Sequence, residues 1–121
     1  MSDVHRTEII PIKPDLDNAS EGKNMPNASI SIQILPLGRA QKSSLKIIDS
    51  AIELIKKSGV SYEVGPMETT MEGDLDKLLE IVKKIQYLSV KNGSKTVFSN
   101  IKIIYNPKGV MTINQKTEKF R

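Results

Sequence analysis

Apolar and polar residues alternate strictly over Ser29-Ile30-Ser31-Ile32-Gln33-Ile34. A period of two puts the three isoleucines on one face and Ser29, Ser31 and Gln33 on the other, which predicts a half-buried strand. Pro36-Leu37-Gly38 ends it. The period then changes. Leu45, Ile48, Ile52 and Ile55 recur at intervals of three and four, and Ile47, Ala51 and Leu54 widen the stripe, so an amphipathic helix follows. Ser43 or Ser44 is its expected N-cap, and Lys56, Lys57 and Gly59 mark its C-terminal end. Residues 60–64 read as a second strand, Gly65-Pro66 as a turn, and residues 67–72 as a third strand. In that third strand Met67, Thr69 and Met71 face one way and Glu68, Thr70 and Glu72 the other. Met67 and Met71 are expected core fillers. Asp74 caps a second helix with Leu75, Leu78, Leu79, Val82 and Ile85 on its stripe, closed by Asn92-Gly93. Thr96–Tyr105 is the longest alternating run. After the turn Asn106-Pro107-Lys108-Gly109, residues 113–120 predict a short terminal helix.

The order is β-α-β-β-α-β. Two right-handed crossovers around a central hairpin give an α+β, ferredoxin-like sandwich: a four-stranded antiparallel sheet with two helices on one face, followed by a short C-terminal helix. Two helices cover only one sheet face. The other face is expected to carry Ser29, Ser31, Gln33, Thr70, Glu72, Phe98, Asn100, Lys102 and Ile104. That mixture is too apolar for solvent alone and too polar for a core, so a second subunit or a ligand is expected to cover it. Residues 1–27 differ in composition. Pro11, Pro14, Pro26, Gly22 and three asparagines interrupt them, and their one apolar patch is short, at Ile9-Ile10. They read as a mobile N-terminal extension, with the folded domain over 28–121. The alternative is an edge strand over residues 7–12.

Composition narrows the chemistry. The chain has 121 residues, one ordinary domain, with no Cys and a single His, His5. Thiolate nucleophiles, Cys-ligated zinc, iron–sulfur clusters and a triad built on a buried His are excluded, and neither metal nor cofactor is expected. No apolar run approaches the ~18 residues of a membrane span. The N-terminus has no apolar signal region, so a cytoplasmic protein is expected. Lys and Arg number 18 against 14 Asp and Glu. Residues 1–101 balance at 13 of each sign, and the excess lies in Lys102, Lys108, Lys116, Lys119 and Arg121 against Glu118. Spaced cations at the end of a terminal helix are favoured there without any ligand. Nucleic-acid binding on such a sheet needs aromatics on the two central strands. Ser29, Ser31, Gln33, Thr70 and Glu72 occupy those positions, so no nucleic acid is expected as a partner. Glu68 and Glu72 lie roughly 13 Å apart along a strand, too far to share acid–base work. No catalytic residue is expected, and the chain does not read as an enzyme.

One block is distinctive: Ser58-Gly59-Val60-Ser61-Tyr62-Glu63-Val64-Gly65-Pro66-Met67-Glu68-Thr69-Thr70-Met71-Glu72-Gly73. With the strand over 29–36 and the ending Ile103-Ile104-Tyr105, Gly109 and a basic helix, it resembles the small thiamine-binding protein family. These are single-domain relatives of the bacterial domain that binds thiamine or its hydroxymethylpyrimidine moiety. The resemblance covers about residues 28–121. It implies a ferredoxin-like fold, sheets paired into dimers and often tetramers, and a small ligand in a pocket beside the sheet near a subunit interface, without catalysis. An aminopyrimidine presents two ring nitrogens and an exocyclic amine. On that implication Glu72 accepts from the amine or pairs with a protonated ring nitrogen. Ser31, Gln33, Thr69 and Thr70 offer hydroxyls and an amide on adjacent strands. Phe98 offers a stacking face for the pyrimidine or the thiazolium, and Asn100 a further polar contact. Alternation separates Thr69 from Thr70, which makes Thr70 and Glu72 the preferred pair. The alternative function is a small structural or regulatory homo-oligomer whose open sheet face is only an interface.

Overall fold

The computed structural model describes residues 25–38 and 40–121. The extension expected over residues 1–27 therefore lies mostly outside the described residues. The elements are β1 (Ala28–Leu37), α1 (Gln41–Ser58), β2 (Ser61–Val64), β3 (Thr69–Gly73), α2 (Leu75–Lys91), β4 (Thr96–Tyr105) and α3 (Ile113–Thr117), with a 3₁₀ turn at Glu118–Phe120. All strands pair antiparallel in the order β2-β3-β1-β4, which is the ferredoxin-like arrangement.

The register fixes which residues share a face, because directly opposed residues point the same way. Ile30 lies between Met71 and Ile103, and Ile32 between Thr69 and Ile101. That face meets α1 and α2. Ile30, Ile32, Ile34, Ile47, Ala51, Ile55, Met71, Leu78, Ile81 and Ile85 form one buried core there. The other face carries Ser29 between Glu72 and Ile104, Ser31 between Thr70 and Lys102, Gln33 opposite Asn100, and Leu35 opposite Phe98. This is the open face expected from alternation.

Three local expectations need correction. The first helix starts at Gln41, and its N-cap is Ala40, with no side-chain cap bond. Ser44 sits inside the first turn, where its hydroxyl donates to the Pro36 carbonyl at 3.4 Å. The third strand begins at Thr69, two residues later than the alternation predicts. Met67 is consequently no core filler: it is 74% exposed, while Met71 is fully buried. The cause is a tight turn in which the Gly65 N–H donates to the Glu68 carbonyl at 2.9 Å. A Cβ on Gly65 would stand 2.8 Å from that same oxygen, so only glycine closes the turn without displacement. The terminal helix is also shorter than expected, because its last three residues tighten to 3₁₀ geometry.

Residues 25–27 are bonded into the domain. The Pro26 carbonyl accepts from Val110 N–H and the Asn27 carbonyl from Asn106 N–H, both at 2.9 Å. The Asn27 side-chain oxygen accepts from Leu75 N–H at 2.9 Å. The first two bonds fix the turn that leads from β4 toward α3, and the third ties residue 27 to the start of α2.

Candidate functional site

The open face is flat where only strands form it, but α3 stands over one end and turns it into a cleft of about 480 Å³. That volume lies within the usual range for small-ligand sites. Ser29 and Ser31 of β1, Thr70 of β3, and Lys102 and Ile104 of β4 line the strands' side of it. The 65–68 turn and Glu63 of β2 make one wall, and Ile113, Lys116 and Thr117 of α3 make the other.

The sequence of α3 explains how so short a helix holds its place. Thr112 and Gln115 form a reciprocal capping box, with Gln115 N–H donating to the Thr112 hydroxyl at 3.0 Å and Thr112 N–H to the Gln115 side chain at 2.9 Å. The first helical N–H, on Ile113, donates to the Glu72 carboxylate at 2.6 Å. A carboxylate is well placed there, because the helix N-terminus carries unsatisfied donors and partial positive charge. Past the 3₁₀ turn, four residues beyond α3, Arg121 pairs with Glu63. Sheet carboxylates thus engage the start of α3 and the chain that follows it.

A third carboxylate is also engaged. Lys102 Nζ lies 3.1 Å from Glu68 Oε2 across the cleft rim. The Lys102 ammonium, and secondarily the Ser31 hydroxyl, hold the Glu68 carboxyl below its ordinary value. The Ser31 hydroxyl acts on that carboxylate as a weak, long hydrogen-bond donor, yet its buried Oγ meets full hydrogen-bond geometry with no group among the described residues. Ser29, by contrast, satisfies its hydroxyl by donating to the Met71 carbonyl at 3.2 Å. An orphaned hydroxyl costs about 1–3 kcal/mol of desolvation, and it faces the cleft.

Seven residues were candidates from sequence. Ser31 and Thr70 sit opposite each other in the cleft. Glu72 is on the same face but outside the cleft's lining, and its Oε1 accepts from Ile113 N–H. Gln33 and Asn100 bond each other, with Asn100 Nδ2 donating to Gln33 Oε1 at 3.1 Å, next along the strands. Phe98 stands at the other end of the face, opposite Leu35 and 52% exposed. Thr69 is on the helix face, 7% exposed beside Ile32, so the structure does not bring it to the others. Glu63, Glu68, Lys102, Lys116 and Thr117 line the cleft and were not among the candidates. Alternation carried a signal for Glu63 and Lys102, which oppose Thr70 and Ser31. No local pattern marks Lys116 or Thr117, because their place depends on where α3 docks.

A second, wider groove of about 730 Å³ runs along α1 and α2, rimmed by Lys57, Lys77 and Lys84. It holds no orphaned buried polar atom among the described residues. Nor do the described residues contain a cluster of His, Cys, Asp or Glu able to hold a metal ion.

Residues 30–121 match the family model described as thiamine-binding protein. A UPF0045 protein of Clostridium perfringens is 47% identical over 98 residues, covering 80% of this chain and all of that protein. Among solved structures, a Bacillus cereus domain of unknown function superposes with a TM-score of 0.70 at 39% identity, over 81% of this chain and 93% of that one. A Thermotoga maritima protein provisionally named for thiamine biosynthesis or salvage gives a TM-score of 0.68 at 34% identity, over 78% and 98%. With a match running through β1, the turn over the cleft and α3 alike, this chain belongs to the thiamine-binding protein family.

Proposed function

We propose that the protein is a non-catalytic cytoplasmic binding protein for thiamine or its hydroxymethylpyrimidine moiety, and that the ligand lies in the cleft beneath α3. The observation that carries this reading is the orphaned Ser31 hydroxyl beside Thr70 in that cleft. Two hydroxyls on adjacent strands can each donate or accept, which suits the ring nitrogens and exocyclic amine of an aminopyrimidine. Pro66, Met67 and Ile104 supply apolar surface for the ring. Membership of a family of binding proteins supports the same reading. No helix among the described residues is long and apolar enough to cross a membrane.

Calorimetric titration with thiamine and with hydroxymethylpyrimidine tests this. Ser31→Ala is expected to weaken binding about fivefold, the equivalent of one neutral hydrogen bond. If the unaltered protein binds neither compound at millimolar concentration, the reading fails.

A second reading rests on the other end of the open face. Leu35, Leu37 and Phe98 are exposed there, and an apolar patch on a sheet is a normal site of self-association. We propose that the chain forms at least a homodimer through this face. Light scattering at micromolar concentration that returns only the 13.5 kDa protomer overturns it.

A further inference from the structure

Three carboxylates and three cations surround the cleft, but they are not matched pair by pair. Glu63 is paired with Arg121, Glu68 with Lys102, and Glu72 accepts from the Ile113 N–H. Each of these three carboxylates already has one oxygen engaged, so the charge or partial charge beside it offsets part of its pull on a cationic ligand group. Lys116 is different. It lines the cleft from α3, is half-buried, and its ammonium has no ion-pair partner among the described residues. Among the charged residues lining the cleft, Lys116 is therefore the one without an ion pair among the described residues, and the orphaned Ser31 hydroxyl stands on the strands' side of the same cleft.

We infer that the ligand is the phosphomonoester of an aminopyrimidine or of its thiazolium conjugate, with the phosphate held by Lys116. This inference rests on the proposed pyrimidine site and adds the anionic group. A phosphate carries the charge that Lys116 lacks and offers acceptors to both its ammonium and the Thr117 hydroxyl beside it. The Thr117 hydroxyl now donates to the Ile113 carbonyl at 2.8 Å. A hydroxyl donates only once, so Thr117 must turn to join, whereas Lys116 needs no partner exchange. Lys116 is accordingly the residue that distinguishes phosphorylated from unphosphorylated ligand.

The experiment is calorimetry at low salt on the full chain with four compounds: thiamine, thiamine monophosphate, hydroxymethylpyrimidine and its phosphate. Phenyl phosphate serves as an anion without a pyrimidine. The phosphorylated member of each pair is expected to bind about tenfold or more tightly, the range of a charge-assisted bond that is partly exposed. Lys116→Gln should level each pair, with the phosphorylated compounds losing about tenfold or more, and Lys116→Arg should keep most of the preference. Equal affinities within each pair for the unaltered protein, or a preference that survives Lys116→Gln, overturn the inference and leave the pyrimidine site standing. If no pyrimidine binds but phenyl phosphate does, and Lys116→Gln abolishes it, the anion site stands and the pyrimidine reading falls. If none of the five binds, both fall.

Discussion

Where β1 runs between β3 and β4, the open face buries a polar residue: Ser29 is 5% exposed. Six and eight residues further along the same strand, with β4 alone beside it, Leu35 and Leu37 stand 40% and 46% exposed. Hydropathy orders these positions the opposite way. The difference comes from α3, which roofs the first end and does not reach the second. Burial on this face therefore reports what is docked on it rather than what the strand prefers. The roofed end becomes a cleft whose polar groups face a confined volume. The bare end keeps an apolar patch for a partner.

The largest expected effect comes from comparing the bare end with the sheet's other face. Ile30→Ala, in the core, should cost about 2–5 kcal/mol in denaturant unfolding. Phe98→Ala should cost less than about 0.5 kcal/mol in the dilute protomer. A comparable loss for both, independent of protein concentration, would show that the bare end is packed within the protomer.

Next comes the anchoring of the roof. A chain begun at Met25 keeps the Pro26 and Asn27 bonds to Val110, Asn106 and Leu75. A chain begun at Ala28 loses these three bonds and the exposed one from Asn27 Nδ2 to Asp74, about 3 kcal/mol at roughly 1 kcal/mol for each of the three better-placed ones. Thermal unfolding of the two truncated chains isolates that difference. Equal midpoints would mean that water replaces these bonds without loss.

A smaller loss follows from freeing the helix start. Glu72→Ala removes the acceptor for Ile113 N–H and should lower stability by about 1–2 kcal/mol. Glu72→Gln retains an acceptor oxygen and should recover most of it. Binding should weaken in Glu72→Ala because α3 loosens. A variant that binds normally would show that Glu72 does not hold the cleft's wall.

The smallest effect is that of pH on the rim. The Glu68 carboxyl is lowered in the folded chain, chiefly by Lys102. A lowered folded value means that the stabilisation is fully present above the unfolded carboxylate's pKa. It fades as pH falls through the folded value. Carbon-detected NMR titration should show Glu68 moving back toward its ordinary value in Lys102→Met. No change would exclude Lys102 as the cause.

Much of this was legible in the chain itself. The isoleucines of β1 specified a strand and its buried face, the apolar stripes placed α1 and α2 although Leu45 and Leu79 at their margins stand exposed, and the alternation over Thr96–Tyr105 specified a strand of which no residue is buried. Period and burial are two expressions of the same geometry. Ser31 and Thr70 were legible for the same reason, as polar residues on a face that the helices leave uncovered. Met67 was not, because a backbone bond across the Gly65–Glu68 turn delays the strand, and alternation by itself cannot count where a turn ends.

What the tertiary structure alone decided is the set of partnerships across the open face. Glu72 has the chemistry to read an amine, yet it holds the first N–H of α3. Glu63 meets Arg121, 58 residues away in the chain. Lys116 comes to line the cleft, though nothing in its local sequence distinguishes it from Lys119. Periodicity is a property of neighbours along the chain, so it determined the faces. Which groups satisfy one another depends on where a five-residue helix docks, and that is settled by contacts between distant segments.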